Sequence, residues 1–232
     1  MLKTRCPAPD PAGSCDNLSA NDDSQDFITM ILYGRYLSPF VRRTAIVFRN
    51  LGLPYEHSSS GTDSAEVAEH NPLRRVPTLA LADGEVIIDS AAMIDYALEQ
   101  AGGGLELLPA RGAPRRVVLR VSAIATGVME KSVASAYERS KRPKDKIHKE
   151  WLDQLDAQVV AGLGELDGAA AGKTFLCDDQ LTLADINAVV AYDFAVIAVR
   201  YLFKEHHFNA LQDLSARCNQ LPEFVLTQHK SD

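Results

Sequence analysis

The chain has 232 residues, 46% hydrophobic and 24% charged, the balance of a soluble globular protein with room for one large domain or two small ones. Its formal net charge of -7 excludes the clustered positive field that nucleic acid or an anionic membrane requires, so neither is expected as a partner. No apolar run approaches the ~20 residues that span a bilayer.

The four cysteines, Cys6, Cys15, Cys177 and Cys218, form no CxxC pair and no metal-ligand spacing. No metal is expected, and the usage suits a reducing, cytoplasmic setting. Residues 1–29 hold Pro7, Pro9, Pro11, Gly13 and a run of Asn, Asp and Ser, with almost nothing apolar to bury. Such a segment cannot offset its ordering entropy, so we expect a disordered extension without a folding role. It also lacks the apolar stretch of a signal peptide.

Met30-Ile31-Leu32-Tyr33 reads as a short buried strand. Ser38-Pro39 is a helix start, with serine a favoured N-cap and proline pre-set for the first helical position. Val41, Ala45 and Phe48 follow at helical spacing, and Gly52 stops the helix. Residues 54–57 read as a second strand, completing a β-α-β unit. Thr78-Leu79-Ala80-Leu81 and Val86-Ile87-Ile88 flank Asp83-Gly84, a strong hairpin signal. Ser90 is expected to cap a third helix running towards Gln100.

Gly102-Gly103-Gly104 ends that helix, and the next residues read as a linker. Beyond Pro114 the pattern is helical. Val117, Val121, Ile124 and Val128 mark one face; Trp151, Leu155, Val159, Leu163 and Leu166 a second; Ile186, Val190, Phe194, Ile197 and Tyr201 a third. The fold class is therefore an α/β domain (30–104), a linker (105–113) and an all-α domain (114–232).

Three other patterns are set aside. Gly168 to Thr174 imitates a phosphate loop but has too few residues between its glycines and follows a helix. His206 and His207 are neighbours on an expected helical stretch, so their side chains diverge. Asn17-Leu18-Ser19 matches a glycosylation acceptor that a cytoplasmic chain would not use.

The strand, helix, strand and proline-entered hairpin resemble a thioredoxin-like domain, yet the turn Arg35-Tyr36-Leu37-Ser38 lacks the cysteine that disulfide exchange needs. Four motifs spanning both halves instead resemble a bacterial glutathione transferase of the serine type. They are Ser38-Pro39-Phe40-Val41-Arg42-Arg43, Asn71 to Pro77, Asp89-Ser90, and Leu181 to Ile186.

The resemblance implies that glutathione is the co-substrate. It implies that the Ser38 hydroxyl donates to the glutathione sulfur, with Tyr33 at the end of the first strand as rival donor. Arg75 is implied for the glycyl carboxylate, with Arg74 a close rival. Val76-Pro77 is implied as a cis-proline turn pairing with the cysteinyl backbone. Asp89-Ser90 at a helix start is implied for the γ-glutamyl group. On the residues alone, Ser38 and Asp89-Ser90 are equally simple capping positions, and Thr182 with Asp185 is a structural capping box.

A second, electrophilic substrate is expected between the domains near Tyr36, Phe40, Met129 and Tyr137. The implied activity is detoxifying transfer of glutathione by a homodimer. The alternative is a non-catalytic binding protein that keeps the fold.

Overall fold

The computed structural model describes residues 30–102, 106–177 and 180–229, so the expectation for 1–29 lies outside the described residues. Four short strands, β1 (Ile31–Tyr33), β2 (Glu56–Ser58), β3 (Thr78–Ala80) and β4 (Val86–Ile88), form one sheet in the order β2-β1-β3-β4. β1 pairs parallel with β2 and antiparallel with β3, and β3 pairs antiparallel with β4. The sheet is the thioredoxin-like arrangement expected.

The β3–β4 hairpin turns where Asp83-Gly84 predicts it. Gly84 has φ 91, which suits a residue without Cβ, and the Asp83 carboxylate accepts from the Glu85 amide at 3.0 Å. β2 starts two residues later than the sequence pattern suggests; its Glu56 amide donates to the Met30 carbonyl at 2.9 Å, a bond that Pro54 has no N–H to make.

Helix α1 (Pro39–Asn50) follows β1 and is buried on nearly every side from Pro39 to Phe48. Helix α2 (Ala65–His70) is not evident in the sequence. It is short and buries Val67 alone, so it leaves no 3.6-residue pattern; Ser64 caps it by accepting from the Val67 amide. Helix α3 (Ser90–Gln100) starts as expected, but Asp89 is its cap and Ser90 its first residue.

The second domain consists of α4 (Gly112–Ser140), α5 (Lys149–Ala170), α6 (Leu183–Ala198), α7 (Asn209–Cys218) and α8 (Pro222–Val225). The buried face of α4 runs through Val118, Val121, Ala125, Val128 and Met129, which leaves Val117 about half exposed. On α5 the innermost first-turn residue is Leu152 and not Trp151. Helix α6 is buried all round from Leu183 to Ala191, as befits a helix at the centre of a domain.

The capping box is present. The Asp185 carboxylate, fully buried, accepts from the Thr182 amide at 2.9 Å, the Thr182 hydroxyl at 2.6 Å and the Leu176 amide at 2.7 Å. The expected linker is not loose: Leu107 and Leu108 are buried, the Leu107 carbonyl accepts from the Leu183 amide, and α4 already begins at Gly112. His206 and His207 lie in the connection before α7, not on a helix.

The two domains meet along α1. From it, buried Arg42 donates to the Asp193 carboxylate of α6 at 2.6 Å and to the Asn219 side-chain oxygen after α7 at 2.6 Å. Asp193 also accepts from Ser215 and Asn219. A guanidinium taken from water is tolerated only with such partners. Asp193→Ala should therefore lower stability by about 3–5 kcal/mol, read from the midpoint of urea denaturation.

Candidate functional site

The start of α1 stands between two cavities that share no lining residue. One, of about 460 Å³, is lined by Phe40, Arg43, the segment from Arg75 to Pro77, the segment from Ile88 to Ala91, and Thr126 and Glu130 of α4, with Asn71 and Leu73 at its edge. The other, of about 470 Å³, lies against Tyr36, Leu37 and Pro39 on one side and α6, α7 and the chain's final described residues on the other.

Ser38, half-buried, lines neither cavity, although its neighbours Leu37 and Pro39 line the second and Phe40 the first. Its carbonyl accepts from the Arg42 amide at 3.0 Å, as a helix start requires, but its side chain makes no capping bond. Among the described residues the hydroxyl has no partner. A serine that does not cap leaves its lone pairs as well as its O–H unengaged.

The turn leading to Ser38 is held by crowding. Gly34 has φ 125, and a Cβ there would stand 2.5 Å from the Val41 side chain and 2.8 Å from that of Val76. Helix α1, the loop before it and the Val76 turn are thus fitted to one another at a point where only glycine has room.

The Val76–Pro77 peptide is cis. Its surroundings are fixed by buried polar groups. The Asn71 side chain donates to the Arg75 carbonyl and to Thr78, each at 3.0 Å, and accepts from the Leu73 amide; Thr78 also donates to the Arg75 carbonyl. The Val76 amide and carbonyl make no hydrogen bond among the described residues, so this stretch of backbone at the cavity wall is open to an extended ligand.

At the opposite wall Asp89 takes a positive φ of 79, unusual for a side-chain-bearing residue. The geometry lets its carboxylate accept from the Ala91 amide at 2.7 Å and cap α3. Ser90 and Ala92 of the same first turn have amides without a partner in the described chain, a start suited to an anion.

Ser90 is held from behind by Arg43, whose Nε and Nη2 donate to its hydroxyl at 3.1 and 2.7 Å. The remaining arm of Arg43 donates to Thr126 at 2.8 Å. With both contacts accepted, the Ser90 hydroxyl has its own proton free to donate. Burial lowers the Arg43 guanidinium to about 10, opposed by the charges of Asp89 and Glu130, so it remains a cation at neutral pH.

The expected residues separate cleanly. Arg75, Val76, Pro77, Asp89, Ser90 and Phe40 line the first cavity; the rival Arg74 does not. Tyr36 lines the second, its ring stacked 3.9 Å from that of His57 and its hydroxyl 3.1 Å from that of Tyr55. Tyr33 lines neither. It faces α2, with its hydroxyl 3.3 Å from His70 Nε2, and burial followed by the nearby Glu66, Glu69 and Glu56 raises its pKa.

Met129 and Tyr137 lie away from both cavities. Met129 has no exposed surface because it falls on the buried face of α4. Tyr137 is on the outside of the helical domain, with Lys141 5.8 Å from its ring. Sequence reasoning gave no role to Arg43, Thr126 or Glu130. The signal for Arg43 was present: a charged pair inside a helix whose other positions are apolar must find buried partners. Thr126 and Glu130 leave no comparable trace.

The thioredoxin-like sheet, the helical domain behind it and a polar cavity at the cis-proline turn define a two-domain class of glutathione-binding fold. Residues 32–104 match the family model of the glutathione S-transferase N-terminal domain, and residues 127–222 that of the glutathione S-transferase C-terminal domain. The chain belongs to the glutathione S-transferase family.

It is 29% identical over 167 residues to the uncharacterized GST-like protein YibF of Escherichia coli strain K12, covering 71% of this chain and 81% of that one. A solved glutathione S-transferase of Methylobacterium radiotolerans, in complex with glutathione sulfonate, is 25% identical with a TM-score of 0.77 over 88% of this chain and 98% of that one. A glutathione transferase family member of Pseudomonas fluorescens with bound glutathione is also 25% identical, with a TM-score of 0.77 over 88% and 100%.

Arg43→Met should lower stability by about 1–3 kcal/mol in chemical denaturation, because Ser90 and Thr126 lose a buried partner. Arg43→Lys should not restore it, since one ammonium cannot reproduce the forked contacts.

Proposed function

We propose that the protein is a glutathione transferase that binds glutathione in the cavity of about 460 Å³, favours its thiolate and delivers the sulfur to an electrophilic small molecule. The observation that carries this reading is the Ser38 hydroxyl, poised at a helix start that it does not cap. The glutathione and glutathione sulfonate bound in the Pseudomonas and Methylobacterium relatives support it.

The tripeptide would lie extended across the cavity. Arg75 takes the glycyl carboxylate, the Val76 backbone pairs with the cysteinyl unit, and Ser90 with the open amides of α3 takes the γ-glutamyl carboxylate. Asp89 stands beside that end, and its position there supports a part in holding the γ-glutamyl group. The sulfur then reaches the ridge at Ser38. Tyr33, turned towards His70, is the weaker candidate for the thiol's donor.

A thiol ordinarily titrates near ~8.5, and lowering that by two units takes about 2.7 kcal/mol of preference for the anion. One charge-assisted hydrogen bond supplies ~1.5–3 kcal/mol, and the α1 dipole adds to it. Ser38 need not ionise. The thiolate forms a carbon–sulfur bond, and the leaving group departs with its electron pair, or in an addition the adjacent carbon takes a proton from water.

The electrophile is assigned to the second cavity, between Tyr36 and Leu37 on one side and Phe194 and Ile197 on the other. Phe40, across the ridge, faces the glutathione side. A cytoplasmic homodimer is the assembly in keeping with the family; exposed Leu73 and Ile88 beside the first cavity are apolar surface that a second copy would cover.

Isothermal titration with glutathione, paired with ultraviolet difference absorbance of the thiolate, tests the reading. Ser38→Ala should keep binding within about threefold while the bound thiol's pKa rises by about 1–2 units. Binding without any thiolate signal in the unaltered protein would support the non-catalytic alternative. A thiolate abolished by Tyr33→Phe and untouched by Ser38→Ala would reassign the donor.

A further inference from the structure

On the glutathione reading given above, we infer that His57 of the edge strand β2 is a positioning residue for the reaction. It holds the loop that aims the Ser38 hydroxyl at the glutathione sulfur.

A hydrogen bond weakens steeply as its angle departs from linear, so the serine has to be delivered in one orientation. The Ser38 side chain makes no hydrogen bond of its own among the described residues. Its aim is therefore set by backbone, by α1 on one side and by residues 34–37 on the other.

Those residues close on Ser38, whose amide donates to the Arg35 carbonyl at 2.9 Å. The turn fixes Ser38 relative to Arg35, but it does not fix the turn relative to the sheet. That attachment comes from β2. The Gly34 amide donates to the Ser58 carbonyl at 2.9 Å, and His57 Nε2 donates to the Gly34 carbonyl at 2.7 Å. A carbonyl only accepts, so Nε2 carries the proton.

The His57 ring also lies flat against that of Tyr36, with centroids 3.9 Å apart and planes within 5° of parallel. The Tyr36 hydroxyl is 3.1 Å from that of Tyr55, which accepts from Arg49 Nε at 3.1 Å.

His57 thus grips the residue before the turn and the second residue of the turn at once. Gly34 has no side chain by which to be held, so its peptide group has to carry the attachment. A bond there alone would leave the turn free to pivot, and the ring contact at Tyr36 removes the pivot. His57 itself is exposed and lines neither cavity. It touches neither ligand in this reading, and its influence on the sulfur passes through Ser38.

The test uses the full chain with glutathione and with S-methylglutathione, which has no thiol to ionise. Ultraviolet difference absorbance reads the bound thiol's pKa, and isothermal titration the affinities. His57→Ala should raise that pKa by about one unit. Affinity for S-methylglutathione should stay within about twofold, and the thermal midpoint within about 3 °C. His57→Gln, which keeps an N–H donor without the ring, should show a smaller rise of the same sign.

The combined Ser38→Ala/His57→Ala variant should have the same thiol pKa as Ser38→Ala alone. A residue that acts through Ser38 has nothing left to aim once the hydroxyl is gone.

A thiol pKa untouched by His57→Ala, or a further rise in the combined variant, overturns the inference. Loss of S-methylglutathione binding in both His57 variants overturns it as well, because it places the histidine in ligand binding or folding. An unaltered protein without a thiolate signal removes the glutathione reading itself, a result seen before any substitution is made.

Discussion

Everything in this molecule that concerns ligand binding depends on what surrounds α1. The helix is enclosed by the sheet on one side and by the helical domain on the other, yet it carries two successive arginines. Both are largely withdrawn from water, so each has to find acceptors in whatever packs beside it. Arg42 finds them in α6 and the turn after α7, and Arg43 in the first residue of α3 and in α4. Adjacent positions on a helix point about 100° apart, so the pair ties α1 to two different groups of neighbours. The docking of the domains and the orientation of Ser90 are consequences of one demand for buried charge to be satisfied.

The cavity lined by Arg43 follows the same logic at smaller scale. Buried Asn71 and Thr78 secure the Arg75 carbonyl, Gly34 admits the loop against Val41 and Val76, and Asp89 accepts an unfavourable backbone conformation to cap α3. These residues hold backbone in place and leave selected donors and acceptors unused: the Ser38 hydroxyl, the Val76 peptide, the first amides of α3 and the Glu130 carboxylate. A pocket whose frame is saturated and whose inward groups are not is prepared for a polar ligand.

The legible part of the fold was the part with strong local chemistry. Pro39 at a helix start, Asp83-Gly84 at a hairpin and the apolar spacing of α1, α5 and α6 located those elements because each signal is set by neighbours along the chain. Helix α2 escaped because one buried valine makes no pattern; on α4 the expected Val121 and Val128 are buried, while Val117 gives way to Val118, which is equally apolar. In the site, Val76-Pro77, Asp89 and Ser90 were legible as motif residues. Met129 and Tyr137 fell elsewhere because a helical sequence reports its period but not which neighbour each face meets. Thr126 and Glu130 were invisible for the same reason: their meaning depends on what α1 and α3 bring beside α4.

The ridge formed by the start of α1 has a consequence for how such a protein can change over generations. The two cavities it separates have no lining residue in common. Replacement of Val196 or Ile197, both exposed, remodels one chamber while the saturated frame of the other is untouched. Natural variation can therefore explore new molecular shapes on one side of the helix without re-deriving the chemistry on its other side. The two chambers are kept apart by a single turn of backbone.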